Sequence, residues 1–209
     1  MSNKPTEIVR KRYDRIATVY DLMEEAVERS RYTKWRQLLW SKVEGKKILE
    51  VGVGTGKNFP YYPSEAEVTA IDFSDRMLAR AIVKAQKQRI RAKLLLMDVQ
   101  KLEFEDATFD TVVSTFVFCS VPDPVQGLRE VGRVCKPGGK VILLEHVLSA
   151  NRILAGLMNL ANPMVIRMLG ANINRKTVEN VGLSGLTVER VIDLAAGIFK
   201  LIEARKTQL

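Results

Sequence analysis

The spacing of apolar positions changes near residue 45. Before it, Val9, Tyr13, Ile16 and Tyr20 recur at intervals of four, three and four, which predicts one face of an amphipathic helix within a helical stretch over 6–42. Arg10, Lys11, Arg12 and Arg15 fall largely on its other faces, and a second helical stretch from Glu24 to Val43 carries Arg31, Tyr32, Lys34, Trp35, Arg36 and Trp40. From Lys47 onward, short apolar runs at 47–51, 68–71, 93–97, 109–115 and 140–145 alternate with helical stretches, notably Ser74–Ala92 and Pro124–Val134. Ser74 is the expected N-cap of the first. Lys136-Pro137-Gly138-Gly139 reads as a turn that ends one helix and launches the next strand. Strands alternating with helices predict βαβ units and a parallel sheet. Runs at 186–194 and 198–206, separated by Ala195-Ala196-Gly197, read as two closing strands. Between them and the fifth run lies 151–178, apolar through Ile153, Leu154, Leu157, Met158, Ala161, Val165, Met168 and Leu169 and interrupted by Asn159, Asn162, Pro163 and Arg167. That segment reads as helices laid over the sheet, a lid or a plain packing layer.

The 209 residues suit one domain, and 46% hydrophobic with 27% charged residues supports a full core. The net charge of +9, of which +5 falls in residues 1–47 (12 basic, 7 acidic), favours anionic partners without naming one. Two cysteines, Cys119 and Cys135, are too few and too far apart for a zinc knuckle or disulfide framework, and the single His146 excludes a multi-histidine metal site. No metal is expected. No uninterrupted apolar run reaches the roughly 18 residues a membrane span needs, and the charged N-terminus lacks a secretory core, so a cytoplasmic protein is expected.

The strongest local signal is Glu50-Val51-Gly52-Val53-Gly54-Thr55-Gly56, directly after a predicted strand. Glycines there permit a tight turn, close approach of a ligand to the backbone, and free amides at the next helix. A dinucleotide fingerprint would want glycine at 57, where Lys57 stands, and a phosphate loop would want Ser or Thr at 58, where Asn58 stands. What fits is the acid-x-Gly-x-Gly-x-Gly loop of class I S-adenosylmethionine-dependent methyltransferases. Twenty positions after Gly52, Asp72 ends the second strand, and Asp98 ends the third.

The resemblance extends over nearly the whole chain. ILEVGVGTG, NFPYYP, VTAIDFSDRML and VPDP are similar to bacterial phosphatidylethanolamine N-methyltransferases. RYDRIATVYD resembles the demethylmenaquinone and ubiquinone methyltransferases, and FCSVPDPVQGLREVGRVCKPGGKVILLEH with GANINRKT resembles a group acting on small alkyl thiols. The resemblance implies a Rossmann-like, doubly wound seven-stranded α/β sheet. Its expected divisions are a helical N-terminal extension over 1–43, a cofactor-binding core over 44–150, a lid-like insertion over 151–180 and closing strands over 181–209. Carried over by position, Glu50, Gly52, Gly54 and Gly56 go to the methionine end of S-adenosylmethionine, Asp72 to the ribose, and Phe73, Met77, Asp98 and Val99 to the adenine. Thr115 closes the fourth strand on the cofactor side, and Tyr20 belongs to a Tyr-Asp pair folded over the cofactor or is an ordinary helix-face aromatic.

Sulfonium methyl transfer needs alignment, exclusion of water and proton removal more than chemical machinery. Two roles stand open for His146 after the fifth strand: general base, or a histidine bonded in a strand-end turn. Cys119 reads best as a small buried hydrophobe. Phe116 is expected at the acceptor, and Arg31, Lys34, Arg36 or Arg175 at a substrate phosphate. Ser114-Thr115-Phe116-Val117-Phe118 lacks the Asn/Asp-Pro-Pro-aromatic segment of base amino methyltransferases, which argues against nucleic acid. The expected acceptor is therefore an amphipathic membrane lipid, phosphatidylethanolamine first, with quinone-ring carbon and a small thiol following. The basic amphipathic N-terminus, and the helix row Arg76, Arg80, Lys84, Lys87 and Arg91, are candidates to meet an anionic inner-membrane surface, or are solvated faces. No obligate protein partner is expected. A non-catalytic cofactor-binding module and an RNA-binding protein are the rival classes.

Overall fold

The strands are β1 (Lys47–Val51), β2 (Glu67–Asp72), β3 (Ala92–Leu96), β4 (Phe109–Thr115), β5 (Cys135–His146), β6 (Leu186–Ala195) and β7 (Phe199–Lys206). The helices are α1 over residues 6–15, α2 (Thr33–Trp40), α3 (Asp75–Gln88), α4 (Pro124–Val134), α5 (Arg152–Leu169) and α6 (Thr177–Leu183). This computed structural model describes residues 6–15 and 31–207, so Ile16 and Tyr20 lie outside the described residues.

One seven-stranded sheet runs in the order β3-β2-β1-β4-β5-β7-β6. The first five strands pair in parallel, whereas β7 is antiparallel to both β5 and β6. Central strands covered on both sides need apolar residues at successive positions, and β1 and β4 supply them. Leu49, Val51 and Val112 point into a core closed by Leu128, Val131 and Val134 of α4. Ile48 and Val113 point the other way, onto Leu39 and Trp40 of α2. Leu78, Ala81 and Ala85 of α3 pack on Val53, Phe59 and Ala70.

Local chemistry sets the helix ends. Ser74 caps α3 by accepting from the Met77 amide at 3.2 Å, as its place in the sequence predicts. The helix stops at Gln88 rather than Ala92, because Arg89 turns left-handed (φ 54°) and Ala92 is taken by β3. Asp123 caps α4 with Pro124 in its first turn, and the Asn151 side chain caps α5. The Lys136–Gly139 turn is absorbed into β5 as a bulge: pairing jumps from Phe109↔Cys135 to Thr111↔Lys140.

This topology gathers the C-terminal ends of β1 to β5 along one edge, where open α/β sheets bind ligands. Antiparallel β7 brings Phe199 to the same edge, paired with His146. α5 is helical as predicted, but none of its described side chains is among those lining the cleft described next.

Candidate active site

A partly open cavity lies beyond the ends of β1, β2, β3 and β4. Its floor is the glycine loop. The Gly52 and Val53 amides both donate to the Ile71 carbonyl, at 2.8 and 2.9 Å, which ties the loop to the end of β2. Gly54 (φ +56°) has open space where a side chain would stand, and its amide donates to Asp72 Oδ2 at 2.8 Å. A Cβ at Gly52 would lie 2.3 Å from the Val117 side chain, so only glycine lets the loop approach β4.

Asp72 is buried at the end of β2, its second oxygen accepting from the Ser74 amide at 2.9 Å. Burial pushes its carboxyl up to about 6, against the pull of the Ser74 and Gly54 amides. Asp98 faces the same cavity and is clasped by the Gln100 backbone and side-chain amides. Phe73, Met77, Val99, Thr115 and Phe116 complete the predicted part of the lining, which among the described residues includes two carboxylates and no lysine or arginine. That donor set suits a cationic ligand with hydroxyls and repels a pyrophosphate.

The roof comes from α1. Tyr13 packs edge-on against Phe73 with ring centroids 5.9 Å apart, and its hydroxyl is hydrogen-bonded to Ser120. Asp14 accepts from the Ser74 hydroxyl at 2.5 Å, and Thr6 accepts from the Gln100 side chain at 3.1 Å. Burial raises the Tyr13 phenol far above its ordinary range, so it stays neutral. Sequence reasoning missed Tyr13 and Asp14. The signal was present, because Tyr13-Asp14 and Tyr20-Asp21 are the same dipeptide seven residues apart.

Glu50 and Gly56 stand behind the loop instead of lining the cavity. Glu50 accepts from the Asn58 side chain at 2.7 Å and from the Tyr62 hydroxyl. Asn58 also donates to Thr115 Oγ1 at 3.1 Å and accepts from Arg36 at 2.9 Å. Burial pushes Glu50 up to about 7, with Tyr62, Asn58 and Arg36 opposing. Arg36 is thus a buried member of this network, 5.9 Å above the Phe116 ring. The Gly56 carbonyl accepts from Lys84 at 2.9 Å, so Lys84 of the basic row is engaged with the loop.

The opposite end of the cavity is apolar. Phe116, held in a left-handed conformation (φ 58°), stands between the cavity and a cluster of rings: Tyr32 at 5.0 Å, Trp35 and Phe199 beyond it. His146 lies behind Phe199, edge-on at 5.1 Å, and is not part of the cavity lining. Burial lowers its pKa, and among the described residues its Nδ1 has no hydrogen-bond partner. Next to it, fully buried Glu145 organises the β4 loop by accepting from the Ser114 hydroxyl and from the Val117 and Phe118 amides at 3.0–3.2 Å. Burial pushes Glu145 up to about 7. The Cys119 thiol is buried and pushed up to about 12, which leaves it protonated. Arg175 donates to the Val121 carbonyl at 2.9 Å, whereas Arg31 and Lys34 are exposed and outside the cavity lining.

A family model described as a methyltransferase domain matches residues 49–143. A phosphatidylethanolamine N-methyltransferase of Cereibacter sphaeroides is 45% identical over 104 residues, 49% of this chain and 51% of that protein. A ubiquinone/menaquinone biosynthesis C-methyltransferase of Desulfotalea psychrophila is 31% identical over 191 residues, 87% of this chain and 75% of that protein. Among solved structures, a SAM-dependent methyltransferase from Thermotoga maritima shares the fold with a TM-score of 0.73 at 19% identity, covering 94% of this chain and 99% of that one. The chain spans about half the length of the Cereibacter relative. Fold and site together define the class I methyltransferase architecture. The chain belongs to the S-adenosylmethionine-dependent methyltransferases, and S-adenosylmethionine is the cofactor of that family.

Proposed function

We propose that the protein methylates the amine of phosphatidylethanolamine at the cytoplasmic face of a membrane. The observation that carries this reading is the junction at Phe116, where an acid-lined cleft meets a wall of aromatic rings. The first suits S-adenosylmethionine and the second an amphipathic acceptor. Nitrogen is preferred over carbon because the phosphatidylethanolamine N-methyltransferase is the relative with 45% identity through the core.

When bound, S-adenosylmethionine supplies an activated methyl on a sulfonium sulfur. Asp72 would accept from the ribose hydroxyls, Asp98 and Val99 would meet the adenine edge, and the Gly52–Gly54 backbone with Glu50 behind it would hold the methionine end. Thr6 and Tyr13 line the cleft from α1 and would help to exclude water. An ethanolammonium headgroup must lose a proton before its nitrogen can act as a nucleophile. His146, kept neutral by burial, is the group proposed to take that proton once Phe199, which separates it from the cavity, moves aside. The rings of Tyr32, Trp35, Phe116 and Phe199 would accommodate the alkylated ammonium through cation–π attraction.

The test is incubation with methyl-labelled cofactor and a panel of phosphatidylethanolamine vesicles, demethylmenaquinone and alkyl thiols. Label in phosphatidylethanolamine is the expected result, and label confined to quinone or thiol overturns the acceptor. A second reading, carbon methylation of a quinone ring, is favoured by the Desulfotalea relative, whose match covers 87% of this chain. Methyl transfer to any of the three excludes a non-catalytic module.

A further inference from the structure

We infer that the outward face of α5 seats the protein on a bilayer containing anionic phospholipid. The inference deepens the reading above, which needs the protein at a lipid surface, but does not depend on which lipid is methylated. Ile153, Leu157, Leu160 and Met164 are 79%, 59%, 80% and 63% exposed. Their spacing of four, three and four puts them in one stripe along the helix. Leu160 and Ile153 are the two most exposed large apolar side chains among the described residues. The helix is fixed from its other side, where Met158 and Asn162 are buried and Asn162 accepts from the Ile173 amide at 2.9 Å. A stripe of this size facing water marks an interaction surface.

Charge identifies what it meets. Between Glu145 and Glu179 the chain contains no aspartate or glutamate, whereas Arg152, Arg167, Arg175 and Lys176 are basic. Arg152 and Arg167 are exposed on α5 itself, Arg167 one turn beyond Met164. An interfacial helix sinks its apolar stripe to the acyl boundary and leaves cations among anionic headgroups, and this helix offers both. Among the described residues no helix is long and apolar enough to cross a membrane, so α5 lies on the surface rather than through it.

In the described part of the N-terminal segment one face is committed to the cleft, and Ile8, 53% exposed, is its single exposed large apolar side chain, against four on α5. Thr6 is buried, and Tyr13 is committed to the cleft, bonded to Ser120. α5, in contrast, connects its docking face to the acceptor side. A Cβ at Gly170, which follows the helix, would sit 3.4 Å from Arg12, and both the backbone and side-chain amides of Asn172 donate to the Cys119 carbonyl in the loop after β4.

The experiment is flotation of the full chain with phosphatidylcholine/phosphatidylglycerol vesicles that contain no phosphatidylethanolamine. Three proteins are compared: wild type, Leu157→Gln/Leu160→Gln, and Arg152→Gln/Arg167→Gln. Each variant should bind at least about tenfold more weakly, and the loss in the arginine variant should shrink at high salt. Thermal melting and cofactor affinity should match wild type, since all four positions are exposed and outside the cleft. Wild type that does not bind, or variants that bind as well as wild type, overturns the docking face. So does a wild-type dimer in sedimentation that the leucine variant breaks, which would make the stripe a self-interface. Methylation of a short-chain phosphatidylethanolamine in solution, assayed in parallel, separates the two proposals: activity there without vesicle binding defeats only the docking, and vesicle binding without activity defeats only the function.

Discussion

Replacing Asp72 by Asn should weaken the cofactor while leaving the empty protein no less stable at neutral pH. The wild-type carboxyl titrates near 3.8 when unfolded and at about 6 in the fold, where burial opposes its charge. Between those values the folded state holds more protons than the unfolded one. Stability therefore falls as pH rises from about 4 to about 6 and levels off above that. A shift of about two units corresponds to roughly 3 kcal/mol against the ionised native form. The amide carries no such cost, although its NH₂ would face one of two backbone donors, Gly54 or Ser74, for a loss of about 1–2 kcal/mol. The stability of Asp72→Asn relative to wild type should thus improve by roughly 3 kcal/mol between pH 4 and pH 8. In the same variant, the lost charge-assisted bonds to the ribose should reduce cofactor affinity by about 2–3 kcal/mol, roughly thirty- to a hundred-and-fiftyfold. Urea unfolding at several pH values gives the first quantity and calorimetric titration the second. A stability difference that does not change with pH would refute the burial argument, and unchanged affinity would refute the ribose assignment.

His146→Ala should lower kcat by roughly a hundredfold at unchanged cofactor affinity, with partial recovery at alkaline pH as the substrate amine deprotonates unaided. A pH-independent loss would make the histidine structural. Glu145→Gln should flatten the decline in stability between about pH 4.5 and 7, because the wild-type carboxyl, pushed up to about 7, binds protons more tightly in the fold. Denaturant titrations at pH 5 and pH 8 check this, and parallel wild-type and variant curves would count against it. Tyr13→Ala should weaken cofactor binding by about tenfold through loss of the roof contact with Phe73, which equilibrium dialysis reads directly.

The sheet was legible because its signals are local. Each strand is one apolar run, and each predicted run lies inside an observed strand to within a residue or two. Asp72 and Asp98 were legible for the same reason, since a carboxylate at a strand end is set by counting from the glycine loop. Tyr13 was not, because a tyrosine on an amphipathic helix reads equally well as an ordinary packing aromatic, and its place over the cleft depends on partners in loops after other strands. The Glu50–Asn58–Arg36 network was hidden because Asn58 reaches back across the loop to partners on two other elements. The aromatic wall draws on positions near 32, 116 and 199, which meet only once β7 runs antiparallel beside β5. For α5 the periodicity was correctly read as an apolar helix. Periodicity alone does not say which side of such a helix meets the protein and which meets another apolar phase.

The three latches of α1 govern traffic. Thr6, Tyr13 and Asp14 fasten it to Gln100, Ser120 and Ser74, on loops following three different strands. Whatever sits beneath the helix exchanges with bulk water at the rate those latches release, a rate that the durability of the sheet does not protect. Arg12, beside Tyr13, lies close to the turn that ends α5, where a Cβ on Gly170 would sit 3.4 Å from it. The end of α5 and the residues covering the cleft are therefore neighbours, although they belong to segments some 160 residues apart in the chain.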